Sequence, residues 1–347
     1  MGEHTRSLAD LRGADESLFG GKSASLGELI AAEVPVPPGF GVASTAFAAS
    51  TAEAGLDAHI AGELEGLDPE DLGAVRSCSA QITEAVRSAP VPAAVGSEIT
   101  SVYGSLGDGD PPVAVRSSAL GEDSAEATFA GQQETYLWVR GAEAVCSAVR
   151  DCWASLYSPE AISYRARMGA DRGAAMGVTV QRMVDAAVSG VMFTCNPVSG
   201  DPSSVAVNAS WGLGVAVVGG EVTPDEYRVS KITGEVLHRT VGPKQIEYLP
   251  HPSGTGTLRA DVPENRQQAA CLDDEQLGTL VDVGRRVERH FGGHQDVEWA
   301  IARGGEGLFV LQSRPVTTVR AAPPAERRSA LSLVMGTFGA GKPADGS

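Results

Sequence analysis

The 347-residue chain sets 44 acidic side chains against 27 basic ones, a formal charge of −17 at pH 7, and is therefore poorly suited to nucleic acid, whose affinity comes mainly from phosphate neutralisation. With 42% hydrophobic residues, a mean hydropathy of −0.05 and no apolar run near the roughly 20 residues that span a bilayer, it is not expected in a membrane. Five cysteines (Cys78, Cys146, Cys152, Cys195, Cys271) form no C-x-x-C pair, so they read as buried thiols rather than as a disulfide framework or a zinc site.

The length suits two lobes. The amino terminus runs from Met1 to Arg6 into a charged segment without the apolar stretch of a secretory signal, so the cytoplasm is the expected compartment. High Gly and Pro with few Lys suggest a high-GC bacterial source. From Leu18 to Leu29, Gly20-Gly-Lys22 reads as a Gly-rich loop entering a helix, with a serine near its start as the cap and Lys22 beside the helix amino terminus. Three prolines make residues 34–42 extended. Residues 44–101, rich in Ala, Glu and Leu, read as short helices. A strand is expected at Pro112–Ser118, and Thr128–Val139 reads as a small loop and a strand. Ala142–Arg167 is helical by periodicity, with Val145, Val149, Trp153 and Leu156 at core spacing.

Val178–Val184 and Ser189–Thr194 read as two strands joined by a short turn, and the lobe division is placed between residues 177 and 178. Val205–Asn208 opens another strand, and Gly212, Gly214, Gly219 and Gly220 make the next segment loop-rich. Asp273–Phe291 is an amphipathic helix, and residues 319–347 form a mobile tail. Within that tail, Gly336–Lys342 satisfies G-x-x-x-x-G-K, but Pro343 stands where a P-loop has its Mg2+-binding Ser or Thr. It is not read as a phosphate site.

The most informative stretch lies before the tail, where two apolar strands, Gln295–Ile301 and Leu308–Pro315, flank the turn signal Arg303–Gly307. Alternation puts Asp296 and Glu298 on one face with Val297, Trp299 and Ile301 on the other, while Gln312 and Arg314 share a face of the second strand. A turn centred near Gly305 sets Glu298 opposite Gln312 and Asp296 opposite Arg314. Hard oxygen ligands beside a guanidinium suit Mg2+ and a polyphosphate. A solvated edge hairpin with a cross-strand ion pair fits the same residues.

Taken together, Val113–Ser118, Thr128–Tyr136, Val180–Val184, Gly190–Pro197, Val222–Tyr227, Gln295–Ala300 and Leu311–Pro315 resemble, in order and approximate spacing, the ATP-binding domain of the pyruvate phosphate dikinase, phosphoenolpyruvate synthase and rifampin phosphotransferase family. The likeness runs from about residue 18 to 318. It implies an α/β, two-lobed ATP-grasp fold with the nucleotide cleft between an amino-terminal lobe (1–177) and a carboxy-terminal lobe (178–318). By the same resemblance, Lys22 and Arg116 hold the ATP phosphates, Thr128, Gly131 and Gln132 belong to a phosphate-covering loop, and Gln181, Arg182 and Met183 lie on the strand whose backbone edge reads adenine. Glu298 and Gln312 match metal and phosphate positions, Asp296 supports them, and Arg314 matches a second phosphate cation. ATP and Mg2+ are the implied cofactors.

Two departures stand out. The family's G-L-G-E reads Gly212-Leu-Gly-Val215 here, which removes a carboxylate. The chain also ends before the family's phosphohistidine and second-substrate domains, and none of its six histidines sits in the phosphohistidine motif; His294, near the hairpin, reads as a loop residue. The expected role is an ATP-dependent phosphotransferase subunit acting on a histidine of a separate partner protein. A self-sufficient ATP-grasp ligase or kinase for a small acceptor such as a carboxylate, and a non-catalytic nucleotide-binding module, are the other uses these residues allow.

Overall fold

The computed structural model describes residues 2–120, 134–167, 175–305 and 307–316. Thr128, Gly131 and Gln132, and the expected tail from 319 onward, lie outside the described residues.

The first five strands are β1 (Thr5–Ser7), β2 (Gly39–Val42), β3 (Val113–Ala119), β4 (Thr135–Val139) and β5 (Met176–Arg182). They form an antiparallel sheet in the order β1-β2-β5-β3-β4. Strands β3 and β5 sit inside this sheet and are nearly continuous in apolar or small residues, because both their faces are covered. The expected run of short helices is present as Ser44–Glu53, Asp57–Leu64, Leu72–Ser88 and Ala93–Gly104. The predicted helical stretch 142–167 is two helices, Ala142–Ser155 and Pro159–Arg167. Proline is tolerated at a first helical position but not inside a helix, which places the break at 156–158. Ile82, Val86, Ile99, Val145, Val149 and Trp153 close over Phe40, Val113, Val115, Val178 and Val180 in one core; Val145, Val149 and Trp153 are fully buried, as their spacing predicts.

The chain then passes to a second sheet. Strands β6 (Ala186–Phe193), β7 (Ser204–Trp211), β8 (Asp225–Ser230) and β9 (Val236–Thr240) are followed by the separate hairpin β10 (Ile246–Pro250) and β11 (Thr257–Asp261), and then by β12 (Gln295–Ala302) and β13 (Leu308–Pro315). The six-stranded order is β13-β12-β6-β7-β8-β9. Strands β5 and β6 are two strands joined by a short connection, as expected, but residues 183–185 carry the chain from one sheet to the other, and the 177/178 division falls inside β5.

The predicted amphipathic helix runs Asp274–Phe291, with Asp273 as its N-cap in a reciprocal capping box with Gln276. Its Leu277, Leu280, Val281 and Val287, at three- and four-residue spacing, pack on Val188, Met192, Val207, Val297, Trp299 and Val310. Leu8, Leu11, Phe19, Leu26 and Leu29 join this second core, so the amino-terminal segment is packed into the carboxy-terminal sheet. Cys78, Cys152, Cys195 and Cys271 are buried and Cys146 is half-buried, and burial pushes all five thiols above the usual range. Among the described residues, no helix is long and apolar enough to cross a membrane.

Candidate nucleotide site

The helix Gly21–Ala31 begins at an elbow. The short helix Glu16–Phe19 ends at Gly20, which serves as N-cap of the next helix with φ 79° and ψ 163°. The predicted serine cap is thus replaced by glycine, for a steric reason: a Cβ on Gly20 would lie 2.1 Å from the carbonyl oxygen of Ser118 in β3. The serines pin the helix instead. Ser23 bonds Thr179 of β5 through the two hydroxyls at 2.7 Å, and the Ser25 hydroxyl donates to the Ser313 carbonyl of β13 at 2.9 Å. Gly20→Ala is expected to destabilise the protein by roughly 1–3 kcal/mol for the backbone alone, read as a lower denaturant midpoint; an unchanged midpoint would show that the elbow relaxes.

This elbow places Lys22 in the first turn of a buried helix with only 8% of its surface exposed. A cation at the positive end of a helix dipole is unfavourable by itself. The ammonium and the positive end of the helix dipole together favour an anion in front of them.

Arg116 reaches the same space from β3, between Thr179 of β5 and Thr135 of β4. Its Nη1 donates to the Leu311 carbonyl at 3.3 Å, across to the second sheet. Gln181 on β5 is 1% exposed, and its Nε2 is buried with no hydrogen-bond partner among the described residues. A buried amide donor left unmade costs free energy, and a ligand acceptor in the adjoining cleft would satisfy it. The N–H groups of Arg182 and Met183 already donate, to Pro38 and Pro112 carbonyls.

The hairpin has the predicted register, with Asp296 opposite Arg314 and Glu298 opposite Gln312. One feature was not legible. Between Glu298 and Trp299 the register shifts so that Trp299 pairs with Val310, leaving Leu311 as an extra residue on β13. The bulge keeps Val310 in the core beside Trp299 and lets both Leu311 and Gln312 line the cleft. Asp296 does not line it; its Oδ2 accepts from Arg314 Nε at 2.9 Å, so it braces the cation. Strand β13 is a sheet edge, and the hairpin combines the expected edge ion pair with a face turned to the cleft.

The cleft has a volume of about 500 Å3 and lies between the two sheets. Lys22, Arg116, Gln181, Arg182, Met183, Glu298, Gln312 and Arg314 all line it. Its lining is of two kinds. Lys22, Arg116, Arg314, Glu298 and Gln312 supply charge and polar donors, whereas Met183, Val184, Leu213, Val215 and Leu311 belong to or pack on an apolar cluster with Ala186 and Ala300. Val215 begins the one-turn helix Val215–Val218 and presents an apolar side chain where the resemblance pointed to a missing carboxylate. Thr135, Leu137, Ser189, Gly190 and Leu213 also line the cleft and were not anticipated. Of these, only Gly190, a glycine inside a strand pattern, carries a sequence signal.

Among the described residues no cluster of three His, Cys, Asp or Glu side chains could hold a metal by itself. One carboxylate and one amide oxygen, Glu298 and Gln312, nevertheless suit Mg2+, which keeps several waters and takes phosphate oxygens as ligands. None of the six histidines lines the cleft; His294 pairs with Glu288 at 2.6 Å and His290 with Glu28 at 2.8 Å.

The chain is similar to known proteins along most of its length. The family model described as pyruvate phosphate dikinase, AMP/ATP-binding domain, matches residues 16–332. A probable phosphoenolpyruvate synthase of Methanothermobacter thermautotrophicus is 42% identical over 328 residues, covering 93% of this chain and 47% of that protein. A rifampicin phosphotransferase of a Streptomyces species is 42% identical over 318 residues, covering 91% and 36%. The phosphoenolpyruvate synthase of Pyrococcus furiosus is 36% identical over 354 residues, covering 90% and 43%. The chain thus spans less than half the length of these relatives.

Proposed function

The chain belongs to the pyruvate phosphate dikinase AMP/ATP-binding family, and from that premise we propose that it is the nucleotide-binding component of an ATP-dependent phosphotransferase related to phosphoenolpyruvate synthase. The observation that carries this reading is one cleft lined both by an apolar cluster and by three cations together with Glu298 and Gln312. The nucleobase lies against Met183, Val184 and Leu213, with the Gln181 amide, the Val184 N–H and carbonyls of the strand available to its edge. The polyphosphate lies against Lys22, Arg116 and Arg314. Lys22 brings a point charge at a helix amino terminus, and Arg116 brings a rigid fork of donors, the arrangement that stabilises charge spreading over a transferring phosphoryl group.

Glu298 and Gln312 would hold Mg2+, which when bound would neutralise phosphate charge. Thr128, Gly131 and Gln132 complete the proposed phosphate contacts, and the two sheets, joined through residues 183–185 rather than divided at 177/178, enclose the nucleotide. The phosphoryl acceptor is a histidine on a separate partner, a reading supported by the placement of this chain's own histidines away from the cleft. Titration calorimetry with a non-hydrolysable ATP analogue tests the site: binding that tightens with Mg2+ is expected, and no binding with or without Mg2+ would refute it. With the acceptor supplied, AMP as product supports the dikinase-like scheme and ADP a simple kinase or acyl-phosphate ligase.

A further inference from the structure

We propose that Trp138 is a positioning residue for the nucleobase, acting from behind the apolar wall of the cleft; this rests on the nucleotide reading above. Trp138 has φ 57°. The other described non-glycine residues at positive φ, Glu33 and Asp110, lie between elements, whereas Trp138 is inside β4. A bulky aromatic in the left-handed region is a genuine outlier, and such a conformation persists only where its surroundings enforce it.

The cause is a bulge. Val113 pairs with Val139 but Val115 with Tyr136, so Leu137 and Trp138 together face Ala114 and their side chains no longer alternate in the ordinary way. Leu137 lines the cleft. Trp138 turns into the cluster of Ala186, Leu213 and Ala300, with Val215 and Tyr248 packed against it, and is 7% exposed. Its carbonyl accepts from the Gly256 N–H at 3.1 Å, in the turn of the β10–β11 hairpin, while the Leu213 N–H donates to the Tyr248 carbonyl at 2.9 Å. One side chain therefore joins the edge strand of the first sheet, the hairpin and the loop after β7.

Trp138 does not line the cleft, but Ala186, Leu213 and Ala300 do. On its other side is a groove of about 710 Å3 lined by Trp138 itself, Tyr136, Arg140 and Thr255, and bordered by Thr135, Leu137 and Val215, which line both cavities. Trp138 stands in the partition between the two. Shortening it would join them and admit water behind the wall on which the nucleobase rests, without touching the groups that hold phosphate.

The test compares a ligand with a base and one without, by calorimetry of the chain with Mg2+ and either a non-hydrolysable ATP analogue or inorganic tripolyphosphate. Trp138→Asn, which suits the left-handed backbone but removes the ring, is expected to weaken the analogue by roughly tenfold or more while tripolyphosphate affinity is unchanged. Trp138→Leu keeps an apolar but thinner partition and serves the same comparison, with a smaller selective loss, should the asparagine variant fail to fold. Wild-type affinity for the analogue in a folded variant would overturn the proposal. So would a parallel loss of both ligands, which marks a general structural role. Failure of the wild-type chain to bind either ligand would instead bring down the nucleotide reading itself, and this proposal with it.

Discussion

Arg116→Ala and Lys22→Ala are each expected to lower ATP turnover roughly 100- to 1000-fold with the acceptor present, the usual cost of removing one preorganised electrostatic stabiliser. Unfolding midpoints should stay near the wild-type value. The expectation follows from where the two cations stand. Lys22 is held in the first turn of a buried helix, and Arg116 projects from a central strand to the opposite wall of the cleft. Arg116→Lys should recover only part of the loss, because it restores the charge without the planar fork. Turnover within a few-fold of wild type in Arg116→Ala would remove that residue from the proposed phosphate site.

A comparably large effect, on stability, is expected from a pair that does not line the cleft. Asp225 and Lys244 form an ion pair with both side chains fully buried. The network around it is well satisfied: Asp225 Oδ1 also accepts from the Gly242 N–H, and its Oδ2 accepts from the Tyr227 hydroxyl at 3.0 Å and the Cys271 N–H at 2.7 Å. Lys244 Nζ donates to Asp225 and to the Gly242 carbonyl. Burial of the phenol, and next the Asp225 charge, push Tyr227 above its ordinary range, so it stays a hydrogen-bond donor.

Lys244→Met removes one partner and leaves a buried carboxylate, so it should destabilise by about 3–5 kcal/mol in denaturant unfolding. Replacing both residues together, Asp225→Leu with Lys244→Met, should recover part of that loss, because the uncompensated charge disappears even though the Gly242 and Cys271 amides lose their acceptor. A Lys244→Met protein as stable as wild type would show that water reaches the carboxylate.

Several features of the fold and site were legible because they depend on local chemistry. The 273–291 helix announces itself by apolar spacing and by a capping box between Asp273 and Gln276. The hairpin register follows from period-two alternation and a Gly-rich turn, which together set Asp296 against Arg314 and Glu298 against Gln312. Strands β8 to β11 were less legible. In β8, inward positions are held by Asp225 and Tyr227, and a buried aspartate breaks the apolar alternation that marks a strand. The bulges at Leu311 and Trp138 were invisible for a related reason: each is one extra residue in a ladder, and it shows only once the partner strand is known.

By itself, then, the sequence singled out the residues proposed to carry the chemistry, by their resemblance to a family pattern: two cations on separate segments, an acidic hairpin and the strand from Gln181 to Met183. Tertiary structure decided how they meet. The helix bearing Lys22 comes from the start of the chain but packs into the carboxy-terminal core, with Ser25 bonded to Ser313 across 288 residues of sequence. Arg116 reaches Leu311 across 195. The apolar lining of the cleft, from Met183 to Leu311, and the tryptophan behind it exist only where two sheets and a hairpin converge. Apolar side chains drive burial without direction, so their own sequence pattern says that they will be covered but not by what.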